Sequence, residues 1–202
     1  KAKTMDSILI KGIDCHIGSQ ITDLKPFEDS VKKLIVLIDK LEVEGIKIKH
    51  MDIGGGIGIS YEDEKAIPFD DYAKAVTTLT KGRDFKILLE PGRVIMADAG
   101  AILTKVEYVK KTQDKNFAII DAAMNDLMRP SLYGAFHKIV NTSETTDKES
   151  VFDIVGPICE TGDFIGKDRV VSIEPNNILV IMDTGAYAMS MSSNYNSRPR
   201  LY

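Results

Sequence analysis

Apolar residues at Val31, Leu34, Ile35, Ile38 and Leu41 recur with a helical period, and the spacing predicts a helix over Pro26–Glu44. Pro26 stands at its start and Gly45 just past its end, the usual punctuation of a helix. Ile8–Ile17, Ile46–Ile53 and Phe85–Leu89 read as strands, the last so nearly all-apolar that both its faces should be covered. A second helix is expected over Phe69–Thr80, where Asp70 and Asp71 suit the positive end of the helix dipole. Strand, helix, strand, helix, strand is the order of right-handed parallel crossovers, and a short helix is expected after Arg93.

Near Gly100 the pattern changes. Ala101–Tyr108, Phe117–Asp121, Lys138–Asn141, Val151–Val155, Val170–Ser172 and Ile178–Met182 read as strands joined by Gly, Pro, Asn and Asp turns. The polar stretch Thr142–Ser150 reads as an exposed loop. Three parallel strands alone would leave unpaired edges. They are therefore expected to belong either to an open sheet or, preferably, to a barrel. The fold class is α/β plus all-β: residues 1–100 as the late part of a (β/α)8 TIM-like barrel, and residues 101–202 as a β-barrel or sandwich domain. The chain starts at Lys1 without Met and stops at Tyr202 just after a polar, turn-rich segment, so a piece of a longer protein is expected.

Composition narrows the function classes. A net charge of −4 and a pI near 5.5 argue against nucleic acid as a partner. No apolar run approaches membrane-spanning length, and no secretory signal opens the chain. Two cysteines, Cys15 and Cys159, suit a reducing cytoplasm rather than a disulfide framework. No metal-ligand spacing is visible.

The candidate chemistry lies at strand ends. His16-Ile17-Gly18-Ser19 offers an imidazole that can stack on a ring and a hydroxyl that can donate to phosphate, or simply a capped strand with a satisfied histidine. Gly54-Gly55-Gly56 can turn bare amides toward an oxyanion, although a tight structural turn would use the same glycines. Glu90-Pro91-Gly92-Arg93 pairs a carboxylate, able to hold a proton on a pyridine nitrogen, with a guanidinium suited to phosphate or carboxylate. An ordinary salt bridge would also fit that pair. Cys159, inside Gly-Pro-Ile-Cys-Glu-Thr-Gly-Asp, could return a proton to a carbanion. Tyr133 and Tyr187 each put an aromatic hydroxyl just beyond a turn, and either could be a packing tyrosine. His50, His137, Met189 and Met191 read as structural. An acid, a thiol, a fixed cation and an anion nest together point to a phosphorylated cofactor in proton chemistry.

These runs resemble the diaminopimelate decarboxylase family, pyridoxal 5'-phosphate enzymes of the alanine-racemase-like fold type related to ornithine and arginine decarboxylases. The resemblance also covers Met124–Tyr133, Cys159–Asp163, Gly185-Ala186-Tyr187 and Ser192–Arg200, in family order over nearly the whole chain. It implies that His16 stacks on the cofactor ring, Ser19, Gly55 and Gly56 hold its phosphate, and Pro91 and Gly92 help wall that site. Glu90 would face the ring nitrogen, and Arg93 would contact phosphate or substrate carboxylate. Arg129, Tyr133 and Glu160 would grip the far end of the substrate, and Tyr187 would touch both cofactor and substrate. Cys159 would be the proton donor, reaching with Glu160 into the partner subunit's site of a homodimer. The implied reaction converts meso-diaminopimelate to L-lysine and CO2, the last step of lysine biosynthesis. The alternatives are a sister decarboxylase for ornithine, arginine or carboxynorspermidine, and a non-catalytic homologue. The family's Schiff-base lysine lies in an early barrel strand that nothing here matches, so the chain by itself is expected to be inactive.

Overall fold

The computed structural model describes residues 1–146 and 148–200. One position of the expected 142–150 loop, and the chain end at 201–202, lie outside the described residues. The chain divides into two compact units, residues 1–60 with 64–94, and residues 61–63 with 95–200 as far as described.

In the first unit, strands β1 (Gly12–Asp14), β2 (His50–Asp52) and β3 (Lys86–Leu88) form a parallel sheet in the order β1-β2-β3. Helices α1 (Lys25–Val43) and α2 (Phe69–Leu79) supply the crossovers. Each strand is only three residues long, shorter than the apolar runs that predict it. Their register is Gly12 with His50 and His50 with Lys86, then Ile13 with Met51 and Met51 with Ile87, then Asp14 with Asp52 and Asp52 with Leu88. Helix α1 buries Phe27, Val31, Leu34 and Ile38, one stripe along its axis. Burying each such side chain is worth about 1.5–3 kcal/mol. Gly45, at φ +78, closes the helix in a left-handed conformation that a side chain would resist. Met51, Ile53, Ile57, Tyr72 and Val76 complete this core, and the Phe27 and Tyr72 rings meet edge to face 5.1 Å apart.

Short helix α3 (Arg93–Met96) spans the boundary between the units. The second unit holds β4 (Ile102–Lys111), β5 (Asn116–Ile120), helix α4 (Arg129–Tyr133), β6 (Ile139–Asn141), β7 (Ser150–Val155), β8 (Phe164–Val171) and β9 (Ile178–Ile181). They form one mixed sheet in the order β6-β9-β4-β5-β7-β8, antiparallel except for the β5–β7 pair. The sheet nearly closes on itself. A Cβ at Gly166 of β8 would sit 3.0 Å from the Ile139 side chain of β6, and Asn141 donates to the Ser172 carbonyl at 2.8 Å. Val106, Ala118, Ile120, Phe152, Ile154, Ile165, Leu179 and Ile181 fill the interior. The strand expected at Val170–Ser172 is the end of the eight-residue β8. Its beginning escapes a hydropathy reading because Lys167 and Asp168 interrupt the apolar run at a register shift. Among the described residues no helix is long and apolar enough to cross a membrane.

Candidate functional site

In the first unit the C-terminal ends of the three parallel strands carry the expected side chains. Strand register explains their convergence. Asp14 and Asp52 are lateral neighbours, and Glu90 lies two residues beyond Leu88, the residue paired with Asp52. Alternation along a strand puts Leu88 and Glu90 on one side. Carboxylate oxygens of Asp14, Asp52 and Glu90 accordingly lie within 4.8 Å of one another. The spacing in sequence hides this trio. Three such groups make the strand ends strongly negative, which favours a cationic partner, whether a metal ion, an ammonium or a protonated ring nitrogen.

The glycine turn is built by close backbone approach. A Cβ on Gly55 would stand 2.3 Å from the Glu90 carbonyl oxygen, and one on Gly56 would stand 2.4 Å from that of Gly18. Gly54 and Gly56 adopt φ +69 and +94. The Glu90 N–H donates to the Gly54 carbonyl at 2.9 Å, locking the β2 and β3 ends together. Two of the three amides expected to be bare already have partners. Gly54 N–H donates to Asp52 Oδ1 at 2.9 Å, and Gly55 N–H donates to His16 Nδ1 at 3.2 Å. The glycines therefore answer to packing first. The His16 contact orients the ring, which is exposed, and in the neutral imidazole it leaves the proton on Nε2. Arg93 Nη2 donates to Ser19 Oγ at 3.0 Å, joining the β1 and β3 loops. Pro91 is half-buried, and Gly92 is exposed with open space where a Cβ would be.

In the second unit α4 presents Arg129 and Tyr133. Tyr133 is 67% exposed, whereas Arg129 is 7% exposed and stacks 4.5 Å above the Tyr61 ring. Arg129 Nη1 lies 2.7 Å from His137 Nε2, and His137 Nδ1 lies 2.9 Å from the Met182 carbonyl. A carbonyl can only accept, so Nδ1 carries the proton and Nε2 accepts from the guanidinium. His137, which the sequence suggests is merely structural, is wholly buried and orients Arg129. No local motif marks a pair eight residues apart.

The turn between β7 and β8 presents Cys159 and Glu160, both exposed, and Cys159 is a free thiol. Glu160 Oε2 accepts from Tyr195 Oη at 3.4 Å. Tyr187 is 38% exposed at φ +63, an uncommon conformation for a bulky residue. It follows Gly185, whose N–H donates to the Ala97 carbonyl at 2.9 Å. A network missed in sequence secures the polar C-terminal segment: Arg198 Nε donates to Asn125 Oδ1 at 2.9 Å and Nη2 to the Asp121 carbonyl at 2.5 Å, while Asn125 Nδ2 donates to the Ser193 carbonyl at 3.2 Å.

With strand-end carboxylates and a glycine turn in one unit, and a nearly closed mixed sheet in the other, the chain matches a known architecture. The family described as "Pyridoxal-dependent decarboxylase, C-terminal sheet domain" matches residues 13–185. The chain belongs to the pyridoxal-dependent decarboxylases. Among its relatives, the diaminopimelate decarboxylase of Vibrio cholerae is 49% identical over 99% of this chain and 48% of its own length. That of Neisseria meningitidis serogroup A is 50% identical over 98% of this chain and 49% of its own. A crystal structure of diaminopimelate decarboxylase from Helicobacter pylori complexed with L-lysine superposes with a TM-score of 0.93 at 42% identity, over 99% of this chain and 50% of that one. The chain spans about half the length of the relatives it matches.

Proposed function

We propose that this chain is the part of a diaminopimelate decarboxylase that carries the late strands of a (β/α)8 barrel, within residues 1–100, and the β-domain of residues 101–202. The reaction is decarboxylation of meso-diaminopimelate to L-lysine and CO2 in the cytoplasm. The observation that carries this reading is the identity of about half to diaminopimelate decarboxylases across nearly the entire chain. The L-lysine named in the Helicobacter pylori complex is the product this reaction would leave.

The donor set fits pyridoxal phosphate. Negative strand ends suit a protonated ring nitrogen, and Ser19, linked to Arg93, offers a hydroxyl and a cation for phosphate. When bound, the cofactor supplies an electron sink for the pair left by departing CO2. Glu90 would keep the ring nitrogen protonated, His16 would cover one ring face, and Ser19, Gly55, Gly56, Pro91 and Gly92 would surround the phosphate. Arg93 would hold phosphate or a substrate carboxylate. Arg129, held by His137 and Tyr61, would meet the far carboxylate with Tyr133, and Glu160 would take the far ammonium. Tyr187 would line cofactor and substrate. Cys159 would deliver a proton to the carbon that lost CO2. Exposed Cys159 and Glu160 suit use by the partner subunit of a homodimer.

The test is CO2 release by the full-length protein with meso-diaminopimelate, ornithine, arginine and carboxynorspermidine. Turnover should be highest with meso-diaminopimelate and should yield L-lysine. Faster turnover of another substrate, or none, would reject the assignment.

A further inference from the structure

The Cys159 thiol makes no hydrogen bond of its own among the described residues, so the backbone alone decides where it lies. Ser131 Oγ donates to the Gly162 carbonyl of that turn, and the residue that makes most of the remaining ties is Asp163. Asp163 is 4% exposed, and both its carboxylate oxygens are engaged. Oδ1 accepts the Met124 N–H at 2.7 Å, and Oδ2 accepts the N–H of Ile158, the residue immediately before Cys159, at 2.6 Å. Its main chain closes the same turn: the Asp163 carbonyl accepts from Gly156 N–H at 3.1 Å, and its own N–H donates to the Glu160 carbonyl at 3.0 Å. A Cβ on Gly156 would lie 2.4 and 2.6 Å from the two carboxylate oxygens, so glycine there makes room for the fastener. Burial pushes the Asp163 carboxyl above its ordinary range, while the two amides and Arg198 pull it down. Charge-assisted bonds from two backbone segments to one buried carboxylate are short and directional.

We infer that Asp163 is a positioning residue that fixes the Cys159–Glu160 turn for proton delivery, an inference that rests on the role assigned to Cys159 above. In Asp163→Asn one oxygen becomes an NH2 facing an N–H donor, so one of the two bonds is lost and the turn shifts. Misplacing a reacting group by about 1 Å can cost ~10²-fold.

The experiment compares kcat, KM and bound cofactor for full-length wild type, Asp163→Asn, Cys159→Ala and Asp153→Asn. Asp153 is an equally buried carboxylate that holds a different turn, through the Asp168 N–H at 2.9 Å. Asp163→Asn should lower kcat by about 10- to 100-fold with KM and cofactor content unchanged, while Asp153→Asn keeps wild-type kcat. Wild-type kcat in Asp163→Asn, or equal loss in both Asp variants, overturns the proposal. If Cys159→Ala keeps kcat, the role of Cys159 itself falls and the proposal with it. If Cys159→Ala loses kcat and Asp163→Asn does not, the proposal alone falls. Should Asp163→Asn fail to fold, hydrogen exchange in the wild type decides: slow exchange at the Met124 and Ile158 amides supports the fastener, and fast exchange at either removes it.

Discussion

Glu90 acquires its neighbours from strand register. Nothing within ten residues of it in sequence foretells Asp14 or Asp52, because their convergence is a product of parallel pairing across two crossovers. Its place at a strand end was legible; the negative trio was not. Glu90→Gln in the full-length enzyme should lower kcat by about 10²-fold, the scale for losing one well-placed electrostatic group, and steady-state CO2 release checks this. Asp183 offers an electrostatic test of stability rather than of turnover. Burial, with Asp98 adding, raises its carboxyl pKa above 3.8. A raised pKa means the folded state binds the proton more tightly, so the favourable contribution is complete below 3.8 and is lost as pH rises through the folded value. At neutral pH the charged side chain is therefore a net cost. Asp183→Asn should melt higher at neutral pH, by less than about 1 kcal/mol after solvent screening, and thermal melts should show the gap narrowing as pH falls. Asn also tolerates the backbone at φ +58.

At the scale of elements, periodicity works where one face is buried. The helix expected at Pro26–Glu44 is Lys25–Val43, because its stripe from Phe27 to Ile38 has no competing pattern. Strands are harder to bound. Ile46–Ile53 interleaves apolar Ile46, Ile48, Met51 and Ile53 with polar residues along its whole length, but only His50–Asp52 finds ladder partners on both sides, and hydropathy carries no record of that. Helix α4 leaves no mark in the hydropathy pattern, since a five-residue helix opening Arg-Pro and closed by Gly134 at φ +63 is too short to show a period. Backbone crossings are least legible of all. Gly185 lies against the Met96 carbonyl so tightly that an added Cβ would stand 1.8 Å from its oxygen. Gly185→Ala should destabilise the second unit by about 3 kcal/mol or more, the scale of a severe overpacking clash, and urea melts monitored in that unit measure it.

For the whole molecule, the resemblance in seven short runs reaches further than hydropathy does, because those runs lie mostly in turns and strand ends where there is no periodicity to read. If Cys159 serves the partner subunit, two inactive variants should rescue each other. Mixed and reassembled, full-length Cys159→Ala and Glu90→Gln chains should regain about a quarter of wild-type activity, the fraction of sites that random pairing in a two-fold dimer leaves with both groups intact. Activity no higher than the average of the two parents would mean that each subunit keeps its own thiol.

Strands β1 and β3 each pair on one flank only among the described residues, so both borders of the three-stranded sheet are edge strands. Such borders template further strands. Handled as residues 1–202 alone, this polypeptide should become turbid and form oligomers as its concentration rises, and light scattering would register that growth.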